Sequence, residues 1–415
     1  MRGSPRSSRS ESRSSEAAKN VPKGALVRAI SRLFEPPRLR TLRADEDDDR
    51  RATWLELFFD LVFVAAVGQL AIGLSAQPTT ARFFEFLGLF VPVWWVWMGF
   101  TFYANRFDTD DLPYRLLTLL GMFAVAVLAT TVPGAFRGAS IGFPLAYVGA
   151  RLVLLALYAR ARRHVPEARA LTTTFLLAFG AAIVVWIVSL AIPHPWNYVA
   201  WGAAMVFELS APFLAWRQIP RAPIHPRHIP ERFGLLTLIV LGESVLAVVL
   251  AVSKVSWDAG SAAAAISGFL VAASLWWVYF DFLDEAAVTG RGIFGGLAYT
   301  YAHYFIVVGL AALGAGVKIA ILAAGGDDHY DGTAWVACAG LAMTMVGFAV
   351  VDLVTPPMLF DADVVLRAVT AAVALALIPL GLSPLTTIFV LATILVAQVG
   401  YELARHGGHT HEASV

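Results

Sequence analysis

RATWLELFFDLVFVAAVGQLA, Arg51 to Ala71, decides the fold. From Trp54 onward apolar residues occupy every face of a 3.6-residue helix, broken only by Glu56, Asp60 and Gln69, over a length that covers roughly 30 Å of hydrocarbon. A helix apolar all round belongs in a large core or in lipid. The remainder of the 415-residue chain chooses lipid: it is 58% hydrophobic and 15% charged, with a mean hydropathy of +0.68, outside the usual balance of a soluble domain.

Comparable stretches recur at about 54–74, 83–103, 114–134, 141–160, 171–192, 197–216, 233–253, 262–281, 297–322, 334–354, 364–382 and 385–404, separated by proline and glycine clusters. The expected fold is an all-α, polytopic membrane bundle of about twelve transmembrane helices. Residues 1–50, rich in Arg and Ser and ending in the acidic run Asp45 to Asp49, have the composition of a disordered tail. They lack the apolar region of a secretory signal peptide near the start, and Ile30 to Leu42 suits a short basic surface helix. Residues 406–415 form a short tail in which His406, His409 and His411 match a metal-binding tract only weakly.

A formal net charge of +1 argues against a nucleic-acid partner, which requires a concentrated basic face. One cysteine, Cys338, allows neither an internal disulfide nor a cysteine metal cluster, and no cofactor is expected. HExxH, Walker A and GxSxG motifs are absent, as is GxGxxG in a βαβ setting. Arg106, Arg160, Arg162, Arg163, Arg169, Arg217, Arg221, Arg227 and Arg232 fall in even-numbered connectors, whereas the odd ones carry chiefly Arg82, Arg137 and Lys254. The positive-inside rule then places a plasma-membrane protein with both termini in the cytoplasm.

Glu56–Gln69 (ELFFDLVFVAAVGQ) resembles Glu231–Glu243 (ERFGLLTLIVLGE), Trp94–Trp95 resembles Trp276–Trp277, and Glu208–Leu209 resembles Glu402–Leu403. These matches predict two six-helix halves, 51–220 and 221–405, inserted in the same direction.

RATWLELFFDLVFVAAVGQLA together with RFGLLTLIVLGESVLAV (Arg232–Val248) and AYTYAHYFIVVG (Ala298–Gly309) resembles the low temperature requirement protein A family of bacterial membrane proteins, over about residues 50–405. The resemblance implies a link to growth in the cold and carries over no molecular activity.

Ionisable groups cost about 2.5–3.5 kcal/mol at the centre of a membrane helix, so each is a candidate until a partner explains it. Glu243, near the centre of span seven, suits a proton carrier or a structural carboxyl. Arg151, central in span four with Tyr147 and Tyr158 on its face, needs an anion: Glu243, Glu208 or a substrate. Glu208 precedes Pro212, which frees a backbone carbonyl. Glu56 and Asp60 share one face of span one, Glu56 matching a helix N-terminal acid and Asp60 lying deeper. Gln69 would oppose Glu243 across a pseudo-axis, and His303 suits a proton relay or a plain hydrogen bond. The Trp94, Trp95, Trp97 run and Trp276–Trp277 fit packing or interface anchoring better than ligand stacking. Gly309, Ala312 and Gly316 mark a close helix contact. Asp281, Asp352 and Lys318, near span ends, reach water.

The leading expectation is a small-solute or ion permease, proton-coupled, with a midplane site built from Glu243, Arg151, Glu208 and Asp60. Its partners would be the bilayer and a proton or small anion. Alternatives are an intramembrane enzyme acting on a lipid, with Glu243 or His303 as acid or base, and a non-transporting stabilising or sensory protein. Oligomeric state is not legible.

Overall fold

Thr53 starts the first helix. Its hydroxyl accepts the Glu56 N–H at 3.3 Å while the Glu56 carboxylate accepts the Thr53 N–H at 2.8 Å, a reciprocal capping box that satisfies two donors at the helix start. The helix runs 23 residues, about 34 Å at 1.5 Å per residue. It is the first of twelve α-helices among the described residues of the computed structural model, which are 34–40, 52–108, 110–136, 140–224, 228–282, 292–330, 332–354 and 362–412.

The helices are α1 Trp54–Ala76, α2 Thr80–Arg106, α3 Leu112–Thr131, α4 Gly142–His164, α5 Arg169–Val188 and α6 Trp196–Leu214, then α7 His228–Val252, α8 Ala259–Phe282, α9 Gly292–Ala324, α10 Trp335–Val354, α11 Ala362–Leu377 and α12 Pro384–Glu412. Eleven are long and apolar enough to cross a membrane. α6 is the exception to the expected twelve: it opens on Trp196, Asn197 and Tyr198 and carries Glu208 and Pro212, which dilute its hydropathy. Large apolar side chains such as Phe84, Phe123, Leu177 and Phe269 are exposed on the outer faces, as a lipid-facing bundle requires.

The expected basic helix at Ile30–Leu42 does not form in the part described. Arg38–Leu39 is instead extended and pairs antiparallel with Phe107–Asp108 beyond the end of α2. Pro36 and Pro37 explain this, since proline lacks the helical N–H and pushes its predecessor into extended backbone. Residues 1–33 and 413–415, and the side chains of His406, His409 and His411, lie outside what is described.

Packing follows one order in each set of six. The first helix packs on the second and third, the second on the sixth, and the third, fourth, fifth and sixth on one another in turn. The closest pair is α9 with α10, where a Cβ on Gly309 would lie 2.6 Å from the Thr344 nitrogen and one on Gly316 2.7 Å from the Ala337 Cα. Only glycine lets these backbones meet. The two sets touch along a seam where α1 and α2 meet α7 and α9. α9 also hooks the first set through its aromatic motif: Tyr301 donates to the Leu209 carbonyl at 2.8 Å and Tyr304 to the Leu87 carbonyl at 2.9 Å, both near proline breaks at Pro212 and Pro92.

Candidate functional site

Along the seam, α1, α7 and α9 run parallel, tied by a ladder of polar contacts from one end of the bundle to the other. At the end where α1 begins, Ala52 N–H donates to Glu231 at 2.8 Å, and Glu56 lies 3.8 Å from the His228 ring nitrogen. One turn deeper, Arg232 and the Trp97 indole N–H both donate to one Asp60 oxygen, at 2.6 and 2.7 Å. All three side chains are buried. Two further turns along lies a dry layer: Phe63 and Val67 continue the Asp60 face of α1, and Leu236 and Val240 continue the Arg232 face of α7.

Beyond that layer Glu243 enters the space left by Gly68, where a Cβ would lie 2.7 Å from its Oε1. Among the described residues its carboxyl makes no hydrogen bond or ion pair, and its nearest charged influence is Lys318 of α9. Lys318 itself donates to the Ser75 hydroxyl at 2.9 Å. Glu243 is half-buried, whereas Glu56, Asp60, Glu208 and Glu402 are buried.

Arg151 finds its anion in Glu208, not in Glu243. The two side chains are fully buried and ion-paired, and Tyr147 donates a second bond to the same Glu208 oxygen at 2.8 Å. The Phe179 ring lies 4.5 Å from the guanidinium carbon. This cluster joins α4, α5 and α6, away from the seam. The second set of helices holds an analogous one: Arg367 of α11 pairs with Asp352 of α10 at 2.9 Å and lies 3.7 Å from Glu402 of α12, which also accepts from Gln398 at 2.9 Å.

His303 is fully buried, with Nδ1 2.8 Å from the Tyr299 carbonyl and Nε2 3.0 Å from the Tyr279 hydroxyl. A carbonyl only accepts, so Nδ1 carries the proton and Nε2 accepts from tyrosine, which makes a neutral, fully bonded imidazole. Gln69 faces away from Glu243, into a cavity of about 190 Å³ near the far end that it shares with Gln77 and the Arg82–Glu85 pair. Successive helical residues point about 100° apart, so Gly68, not Gln69, meets the carboxyl. Trp94, Trp95 and Trp97 are buried, while Trp276 and Trp277 are exposed on α8.

The single midplane cluster expected of Glu243, Arg151, Glu208 and Asp60 is thus divided among three places. The basic partners Arg232, Lys318 and Arg367 were the missing information. Arg232 and Arg106 stand beside connectors in the sequence, yet both are buried within α7 and α2. Lys318 has the sequence position of a span-end residue. Its signal was its register: α9 extends to Ala324, leaving Lys318 well inside the helix.

Twelve packed helices, apolar outer faces and ion pairs kept inside define a multi-pass helical membrane protein. The model of the bacterial low temperature requirement A protein (LtrA) family matches residues 51–400, and the chain belongs to that family. It is also 32% identical over 288 residues to "Uncharacterized protein RA0937" of Rhizobium meliloti (strain 1021), a match covering 65% of this chain and 69% of that one.

Proposed function

We propose that the protein is a proton-coupled permease for a small solute or ion, with its path along the seam between two six-helix repeats. One observation carries the reading: Glu243 is the core carboxyl left unlocked. Asp60 is held by Arg232 and Trp97, Glu208 by Arg151 and Tyr147, and Glu402 by Arg367 and Gln398. A half-buried carboxyl with no fixed partner can take up and release a proton as its surroundings change. The dry layer between Asp60 and Glu243 is the shape of a closed gate with a polar station on each side.

The shared packing order of the two sets supports a parallel repeat, whose interface is where such transporters place their sites. Arg160, Arg162, Arg163, Arg169, Arg217 and Arg221 support cytoplasmic termini, with Glu243 nearer the outer face. The enzyme alternative gains less support from His303, whose ring is fully buried among Tyr279, Tyr299 and Phe233.

Transient currents on solid-supported proteoliposomes, driven by a pH jump and by a panel of small anions, amines and sugars, test the reading. The expected result is a charge movement dependent on protons and on at least one compound. Silence from folded wild-type protein across the panel overturns transport and leaves the enzyme, stabilising and sensory readings.

A further inference from the structure

A cavity of about 400 Å³ lies off the seam, between α2, α4, α5, the connector after α6 and the first turns of α9. Its walls are almost wholly apolar, including Trp95, Phe102, Phe175, Phe179, Ile224 and Leu297. Arg106, the last residue of α2, forms part of the wall near the bundle end where α1 begins. Only 3% of this residue is exposed. Its Nε donates to the Ala222 carbonyl at 2.9 Å, the Tyr158 hydroxyl lies beside it, and the Phe102 and Phe175 rings stand 5.9 and 5.8 Å from its Cζ. Among the described residues no carboxylate pairs with it. Every other fully buried arginine of the core has one: Arg151 has Glu208, Arg232 has Asp60 and Arg367 has Asp352.

A guanidinium does not discharge at physiological pH, and an uncompensated charge in an apolar wall is costly, so the free edge of Arg106 calls for an anion. The cavity supplies the remainder of the ligand's description. From Arg106 to Trp95 the α2 wall rises about 16 Å and offers no second cation. The volume lies within the range of small-molecule sites that are apolar with a few fixed polar groups. Arg151 is not part of the cavity wall, and Glu208 already neutralises it.

We infer that this cavity binds a single-chain amphiphilic anion, its carboxylate or phosphate head paired with Arg106 and its alkyl or aromatic body lying along Phe102, Phe175 and Phe179. The site is independent of the transport reading, because it lies apart from Glu243 and is tested by binding alone.

Gly296 of α9 lines the cavity, and a Cβ built there meets nothing within 4 Å. Gly296→Leu therefore adds bulk at the cavity wall with room for its Cβ, and replacing a helical glycine favours the helix. The experiment is calorimetric titration of the purified protein in phosphatidylcholine nanodiscs, with empty nanodiscs subtracted. The probes are dodecanoate, dodecyl phosphate and dodecanol. Saturable binding of one dodecanoate or dodecyl phosphate per chain is expected, and the preferred head separates a fatty acid from a phosphate ester as the source. Dodecanol should bind at least tenfold more weakly. Arg106→Gln and Gly296→Leu should each weaken binding of the anion at least tenfold. Should Arg106→Gln fail to fold, Gly296→Leu carries the test. Equal binding of dodecanol, or unchanged binding in Gly296→Leu, overturns the site.

Discussion

At the scale of residues, the two kinds of buried acid in this protein should respond differently to loss of charge. Glu208 compensates a guanidinium with no access to water, so Glu208→Gln leaves Arg151 uncompensated. Breaking such a pair from one side costs about 3–5 kcal/mol. Glu243 compensates nothing at contact distance, and Glu243→Gln should change stability by about 1 kcal/mol or less. Thermal unfolding of the two variants in the same detergent checks this: a large drop for Glu208→Gln and a small one for Glu243→Gln are expected. The double variant Arg151→Met/Glu208→Met should recover most of the loss, because a buried pair exchanged for apolar residues of similar size is often neutral. The acids themselves were legible in the sequence, because a carboxyl inside an apolar run stands out. Their partners were less so. Arg232 follows Glu231 at the start of a helix and has the appearance of a loop charge, and only the tertiary contact with Asp60 removes it from that class.

Individual helices show how the seam is built. α1 presents Glu56, Asp60, Phe63, Val67, Leu70 and Leu74 as one buried stripe, and Gly68 beside it makes the notch that receives Glu243. Gly68→Ala puts a methyl 2.7 Å from the Glu243 Oε1 and must displace the carboxyl. The expected outcome is a folded protein whose pH-jump charge falls several-fold. The shorter side chain in Gly68→Ala/Glu243→Asp should restore part of it, and that comparison separates a misplaced carboxyl from general damage. At the α9–α10 contact, Gly309→Leu has no room and should abolish folded protein, read as loss of the monodisperse peak on size-exclusion chromatography. Helix positions were largely visible from apolar length, and so was the Gly309 and Gly316 contact. α6 was counted as an ordinary span because its length is right, although its polar start and Glu208 set it apart. The register between helices was not visible, since a one-residue rotation decides whether Gly68 or Gln69 meets Glu243 and neighbouring positions of equal hydropathy do not encode it.

Considered whole, the protein places the Arg151–Glu208 and Arg367–Asp352 pairs within its two sets of six helices, whereas the seam between the sets holds both the Asp60–Arg232 pair and Glu243, whose carboxyl has no partner among the described residues. The orientation can be checked independently. Cys338 is buried, so a cysteine added at Lys254 or Arg163 is the reactive thiol in intact cells. Lys254→Cys should react with a membrane-impermeant maleimide from outside and Arg163→Cys only after permeabilisation; the reverse pattern inverts the proposed topology. The most direct test of the central claim is the charge moved by a pH jump across solid-supported proteoliposomes of wild type and Glu243→Gln, matched for protein density and thermal stability. The account predicts a proton-dependent charge in the wild type that disappears in the variant. Equal charge in both would remove Glu243 from any proton path.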